Sequence, residues 1–91
     1  MATSVKLVVR NKIGIHMRPA VVFVDAAEKF ESNITIKARG KEGNAKHIMQ
    51  VMCMGLIKGT EFELVAEGED EAEAIAELKD VVENQLTEYD R

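Results

Sequence analysis

The hydrophobic period of the chain changes at Gly14, and this change constrains the fold more than any other feature of the sequence. Before it, Val5, Leu7 and Val9 alternate with other residues, which is the period of a strand with one buried face. After it, from about Pro19 to Phe30, apolar residues recur at helical spacing, and a proline is tolerated in the first turn of a helix. The sequence therefore predicts a strand, a tight turn at Gly14 and a helix.

The middle of the chain predicts a hairpin, a short helix and a further strand. Ile34, Ile36 and Ala38 share one side of "NITIKAR", and "GKEGNA" then supplies a turn and a short second strand. A short helix is expected from His47 to about Met54, because Gly55 is a residue that commonly ends helices. The segment "TEFELVAEG" alternates again and predicts a strand.

The last long segment predicts a third helix. Asp70 and Glu73 are spaced as a capping pair at its start. We expect six residues to share its apolar face: Ala72, Ile75, Leu78, Val82, Leu86 and Tyr89.

These elements give the order β-α-β-β-α-β-α within residues 1–91, which we expect to form one domain. The strands alternate instead of running continuously apolar, so one face of the sheet should be solvated and the other covered. The predicted fold class is α+β, with the helices packed on one face of the sheet.

Composition excludes several classes of protein. The chain is 46% hydrophobic and 31% charged, as expected of a globular protein, and its net charge is −4 with Lys and Arg scattered along it. Nucleic acid is therefore an unexpected partner. There is no apolar stretch long enough for a signal peptide or a membrane span, and Cys53 alone cannot form an internal disulfide. We expect a cytoplasmic protein without membrane insertion.

His16 carries the chemistry that this pattern suggests. It lies at or beside the start of the first helix, where unpaired backbone N–H groups attract anions, above all phosphate. Arg18 could contact phosphate oxygens with its guanidinium, and the positive end of the helix dipole favours a neutral, nucleophilic imidazole. These parts could make a phosphoryl acceptor. The residues alone leave open a second interpretation, in which His16 merely caps the helix and Arg18 is solvated.

A resemblance distinguishes the two interpretations. The segments "GIHMRPAVVFVDAA" and "NAKHIMQVMCMGLIKGTEFELVAEGEDEAEAI" resemble the HPr family, the histidine-containing phosphocarriers of the bacterial phosphoenolpyruvate-dependent sugar phosphotransferase system. The family signature G-[LI]-H-x-R-P-A is matched from Gly14 to Ala20, and the resemblance covers nearly the whole chain.

The resemblance implies a fold and a role. The fold would be a four-stranded antiparallel sheet with three helices on one face, an open-faced β-sandwich. His16 would accept a phosphoryl group on Nδ1 from enzyme I and pass it to a sugar-specific IIA domain, and Arg18 would help to hold the phosphate. The protein would be a phosphocarrier and not an enzyme, with no metal or organic cofactor.

A carrier that meets unrelated partners needs an adaptable contact surface. Met17 and Val21 flank His16, and Ile48, Met49 and Met52 recur on the second helix at positions that match the family's partner-binding patch. Methionine repacks easily against different surfaces. Core packing is the alternative, which we favour for Val51 and Met54 and leave open for Met52.

The sequence departs from many relatives at His47. There a serine starts the second helix and is phosphorylated by a regulatory kinase, so serine-based control is in doubt for this chain. A solvated histidine is the better interpretation of His47, because no His, Cys or acidic residue accompanies it at metal-ligand spacing. Two functions stay open: phosphoryl transfer in sugar uptake, or a regulatory module that is phosphorylated on His16 and acts by binding kinases, regulators or transporters. We expect a monomer.

Overall fold

The structure, a computed structural model, describes residues 2–89. Its strands and helices follow the predicted order: β1 Thr3–Val8, α1 Met17–Glu28, β2 Asn33–Ala38, β3 Lys41–Asn44, α2 Ile48–Cys53, β4 Glu61–Glu67 and α3 Glu71–Asp80. The last helix, predicted to extend to Tyr89, is α-helical only as far as Asp80, and the chain then continues through a π-helical turn, Val81–Gln85, and a 3₁₀ turn, Leu86–Tyr89. The predicted α1 is confirmed, although it begins two residues before Pro19 and ends before Phe30.

Within residues 2–89 the strands form one antiparallel sheet in the order β1-β4-β2-β3. The alternation read from the sequence is confirmed, because Leu7, Ile36 and Leu64 are buried on one face. Phe23 of α1 and Leu78 of α3 are fully buried as well, so the helices cover that face and close the core. The predicted fold class, α+β with helices on one face, is confirmed.

The opposite face of the sheet carries a row of alternating charges. Lys6 of β1 pairs in register with Glu63 of β4, which pairs with Lys37 of β2, which pairs with Glu42 of β3. Opposite charges on directly facing strand positions are favourable, each pair contributing on the order of 0.2–1 kcal/mol. This row keeps the uncovered face solvated and favours the observed register.

Two details of the last helix differ from the sequence prediction. Ala72 is exposed and Ala74 is buried, because Ala72 lies roughly 120° around the helix from the buried Leu78. The expected capping pair does not form, since the side chain of Asp70 makes no capping hydrogen bond to the helix. The predicted burial of the Tyr89 side chain lies outside the described residues.

Asp70 instead joins the start of α3 to the start of β2. Its carboxylate accepts hydrogen bonds from the backbone N–H of Glu31 at 2.8 Å, from the backbone N–H of Ser32 at 3.0 Å and from the Ser32 hydroxyl. These bonds hold the pKa of Asp70 below its ordinary value, and the bond from the Ser32 hydroxyl has the largest effect. Glu71 makes the matching link to β1, because its carboxylate accepts a 2.5 Å bond from the Thr3 hydroxyl.

The turn at Gly14 brings the chain from β1 into α1. Gly14 has a φ of +70°, and a Cβ at this position would lie 2.6 Å from the carbonyl oxygen of Leu56. The neighbouring N–H of Ile15 donates to that same oxygen at 2.8 Å. The buried Asn11 braces the turn, because its side-chain amide donates to the carbonyl of Gly14 at 2.5 Å. Only glycine permits both this backbone angle and this approach.

We therefore expect Gly14→Ala to lower the free energy of unfolding by at least about 2 kcal/mol, since it combines backbone strain with a steric clash. Gly40→Ala is the matched control, because Gly40 has a φ of +77° but a Cβ added there would meet nothing within 4 Å. It should cost about 1 kcal/mol through strain alone. Urea unfolding of the two variants measures both values, and equal losses would contradict the role given to the Leu56 contact.

Candidate functional site

His16 is the N-cap of α1, at the position expected from the sequence. Its backbone is extended, with φ −89° and ψ −162°, and its carbonyl accepts the first helical hydrogen bond from Ala20 at 2.7 Å. The imidazole makes no capping hydrogen bond and is exposed. The side chain is therefore open to an incoming group instead of being used to end the helix.

The first turn of α1 leaves two backbone donors beside this imidazole. Met17 and Arg18 are the first two helical residues, and within residues 2–89 no acceptor pairs with their N–H groups. Pro19 comes third and has no N–H, so it costs the helix nothing at that position. Because the helix dipole adds positive potential at the same end, the site suits an anion.

The Arg18 side chain adds a positive charge to the same end of the helix. It is exposed, and it forms no ion pair with the described residues. The salt bridge within residues 2–89 joins Arg10 to Glu83 at 3.5 Å and does not involve Arg18. The guanidinium is thus available to contact the oxygens of a phosphoryl group in a fork.

Apolar side chains continue from His16 along α1 and α2. Met17 is 67% exposed, Val21 44% and Met49 59%, whereas Ile48 and Met52 are half-buried against the core. We call these five residues the docking patch. Val21 and Ile48 line one shallow groove between the two helices, with a volume of about 310 Å³.

Burial separates the remaining candidates on α2 and in the loops. Val51 and Met54 are buried, which confirms their predicted place in the core. Sequence reasoning missed Ile13 and Ile57, which are 41% and 54% exposed on either side of the Gly14 contact. The available signal was an isoleucine in a glycine-containing loop, next to Gly14 for Ile13 and two residues after Gly55 for Ile57, but periodicity does not register residues outside strands and helices.

The start of α2 is held by β3 and not by its own N-cap. His47 is the N-cap, as expected, but it is exposed and its side chain makes no capping hydrogen bond. Gln50 accepts a 2.8 Å bond from the N–H of Asn44, and the His47 N–H donates to the carbonyl of Asn44 at 3.0 Å. Among the described residues, no three His, Cys, Asp or Glu side chains are grouped to hold a metal ion.

None of the helices in residues 2–89 has both the length and the apolar character that crossing a membrane requires.

The chain matches known proteins along most of its length. The family model described as "PTS HPr component phosphorylation site" matches residues 3–84. The phosphocarrier protein HPr of Mycoplasma capricolum is 47% identical over 72 residues, covering 79% of this chain and 81% of that protein. The HPr-like protein Crh of Bacillus subtilis is 42% identical over 81 residues, covering 89% of this chain and 95% of Crh.

Solved structures agree with these matches. An HPr structure from Thermoanaerobacter tengcongensis has a TM-score of 0.89 at 43% identity, covering 92% of this chain and 94% of that one. An HPr dimer from the same organism has a TM-score of 0.75 at 44% identity, covering 90% and 94%. With the fold and the matched residues in agreement, the chain belongs to the HPr family, whose members are phosphocarrier proteins of the bacterial phosphotransferase system and not enzymes.

Proposed function

We propose that this chain accepts a phosphoryl group on His16 from phosphorylated enzyme I and passes it to the IIA domains of sugar permeases. One observation supports the proposal most strongly: an exposed imidazole stands at the N-terminus of α1 beside two unpaired backbone amides. His47 is also an exposed N-cap without a capping bond, but it lies outside the signature from Gly14 to Ala20 and has no arginine two residues on. The ring of His16 is accessible, and the two amides are free to donate hydrogen bonds to phosphoryl oxygens.

The transfer step needs no other nucleophile. The lone pair of Nδ1 of His16 attacks phosphorus, the bond from phosphorus to the donor group of enzyme I breaks, and the bonding electrons leave with the donor. Transfer onward reverses these roles, with His16 as the leaving group. The N–H groups of Met17 and Arg18 would stabilise the negative oxygens in both directions, because helix N-termini favour bound phosphate.

Arg18 supplies the part of the site that can move. A guanidinium contact to phosphoryl oxygens is a charge-assisted hydrogen bond, roughly twice as strong as a neutral one. Because Arg18 has no ion-pair partner among the described residues, it gives up no ion pair when it turns to the phosphate. The backbone amides stay fixed, so the side chain is the component that can follow the phosphate as it arrives and leaves.

The docking patch would receive both partners in turn. Its three methionines, Met17, Met49 and Met52, have flexible side chains that can repack against surfaces of different shape. Transfer in both directions also requires that neither complex be long-lived, which fits a small, half-exposed apolar surface. The expectation of a monomer stays a prediction, and the HPr dimer from T. tengcongensis is the observation against which it should be tested.

A second function is supported by the similarity to Crh. That protein is described as the catabolite repression HPr of B. subtilis, so this fold also serves regulation. In this alternative the chain is phosphorylated on His16 but acts by binding kinases, regulators or transporters. Identifying which protein takes the phosphoryl group from His16 distinguishes it from a carrier in sugar transport.

We predict that His16→Ala abolishes phosphoryl acceptance from enzyme I and phosphoenolpyruvate, because the variant lacks the nucleophile at the start of α1. The matched control is His47→Ala, since His47 is the chain's other histidine and is likewise an exposed N-cap without a capping bond. It should accept phosphate at the natural rate. Acid-labile, base-stable phosphate measures the acceptance, and its presence on His16→Ala would exclude His16 as the acceptor.

We predict that Met49→Asp raises the KM of enzyme I for this chain roughly tenfold, because the change puts a solvated carboxylate where an apolar contact would be buried. Its stability should change little, since Met49 is 59% exposed. Val8→Asp is the control, at a 43% exposed valine in β1 that lies outside the docking patch. An equal KM for both variants would remove Met49 from the docking surface.

A further inference from the structure

The exposed side of α1 changes character along its length. Met17, Val21, Asp25 and Glu28 are four, four and three residues apart and are all exposed, so they form one stripe on the solvent side of the helix. The half nearest His16 is apolar and the far half is acidic. The docking patch therefore continues into two carboxylates that the phosphoryl chemistry does not use.

These carboxylates are only partly neutralised within the described residues. Neither Asp25 nor Glu28 forms a salt bridge there. Lys46 lines the same groove as both, but its ammonium donates a 2.5 Å hydrogen bond to the carbonyl of Phe30. The far end of the groove thus carries two carboxylates against one ammonium and is net negative, while Val21, one turn before Asp25, adds an apolar wall.

Asp25 and Glu28 lie far enough from His16 that their negative charge is compatible with a phosphate bound there. At 1.5 Å per residue, Asp25 and Glu28 stand roughly 13 and 18 Å along the helix from His16. The Debye length is about 8 Å at physiological ionic strength, so repulsion between these acids and a phosphoryl group on His16 is largely screened. A partner that buries about 800 Å² nevertheless spans both ends of the helix, because such a footprint is about 30 Å across.

We propose that the phosphoryl-exchange partner of this chain docks with Lys or Arg side chains over Asp25 and Glu28, so that the acidic end of α1 selects and orients it. The inference rests on the proposed function and specifies the chemistry of the partner. Charge complementarity is the reason: one end of the face, at Arg18, is positive, and the other is negative. A partner with matching polarity is steered into the orientation that brings its own phosphoryl-bearing residue to His16.

The test uses the double variant Asp25→Lys/Glu28→Lys and, as donor, phosphorylated enzyme I of the bacterium from which the chain comes. The matched control is Glu61→Lys/Glu67→Lys, which makes the same change in net charge at exposed positions of β4. Lysine near the end of α1 complements the helix dipole, so the fold should persist. The milder Asp25→Asn/Glu28→Gln provides a second variant.

We expect the charge-reversed variant, Asp25→Lys/Glu28→Lys, to raise the KM of enzyme I for this chain about five- to tenfold at low salt, with an unchanged kcat. The neutral variant, Asp25→Asn/Glu28→Gln, should raise the same KM about two- to threefold. Both effects should fade near 1 M salt, where the Debye length is about 3 Å. The control should stay within about twofold of the natural protein. A reversed variant indistinguishable from the control, or one that binds better, would overturn the inference and leave the proposed function standing. Failure of the natural protein to accept phosphate would overturn both.

Discussion

The contact between Gly14 and the carbonyl of Leu56 is the constraint on which the site depends. A glycine with positive φ lets the chain turn sharply after β1, and the N–H of Ile15 then donates to the same carbonyl. The next residue, His16, becomes the N-cap of α1 in an extended conformation. The loop before β4 thereby sets where the first helix begins, and with it the direction in which two backbone amides point.

The same helix end explains why so few side chains suffice for the chemistry. Helix geometry leaves the first N–H groups unpaired, and Pro19 shows that the chain does not need a donor at the third position. In the function that we propose, the imidazole would supply the nucleophile, the amides would supply fixed donors and Arg18 would supply a positive charge on a flexible side chain. The rest of what a carrier requires is surface: apolar and adaptable near His16, and acidic farther along α1.

Local patterns in the sequence were enough for the order of the elements, whereas the role proposed for His16 needed the resemblance to the HPr family as well. Period-two alternation marked β1, β2 and β4, and the spacing of His16, Arg18 and Pro19 marked the helix start. Contacts between distant segments could not be read in this way. Asp70 has the sequence context of a cap, yet its carboxylate bonds to Ser32, 38 residues away. The wrong prediction that Ala72 lies on the buried face has a related origin. An alanine fits either side of a helix, and only packing decides which side is buried.

If the free amides at the start of α1 hold the phosphate on His16, they must respond when it arrives. The ¹H–¹⁵N spectrum of the natural protein, recorded before and after phosphorylation by enzyme I and phosphoenolpyruvate, measures this response directly. We expect the amide protons of Met17 and Arg18 to move strongly downfield as they bond to phosphoryl oxygens, while amides on the open face of the sheet do not move. If His16 were phosphorylated and the chemical shifts of both amide protons stayed unchanged, this role for the helix end would be contradicted.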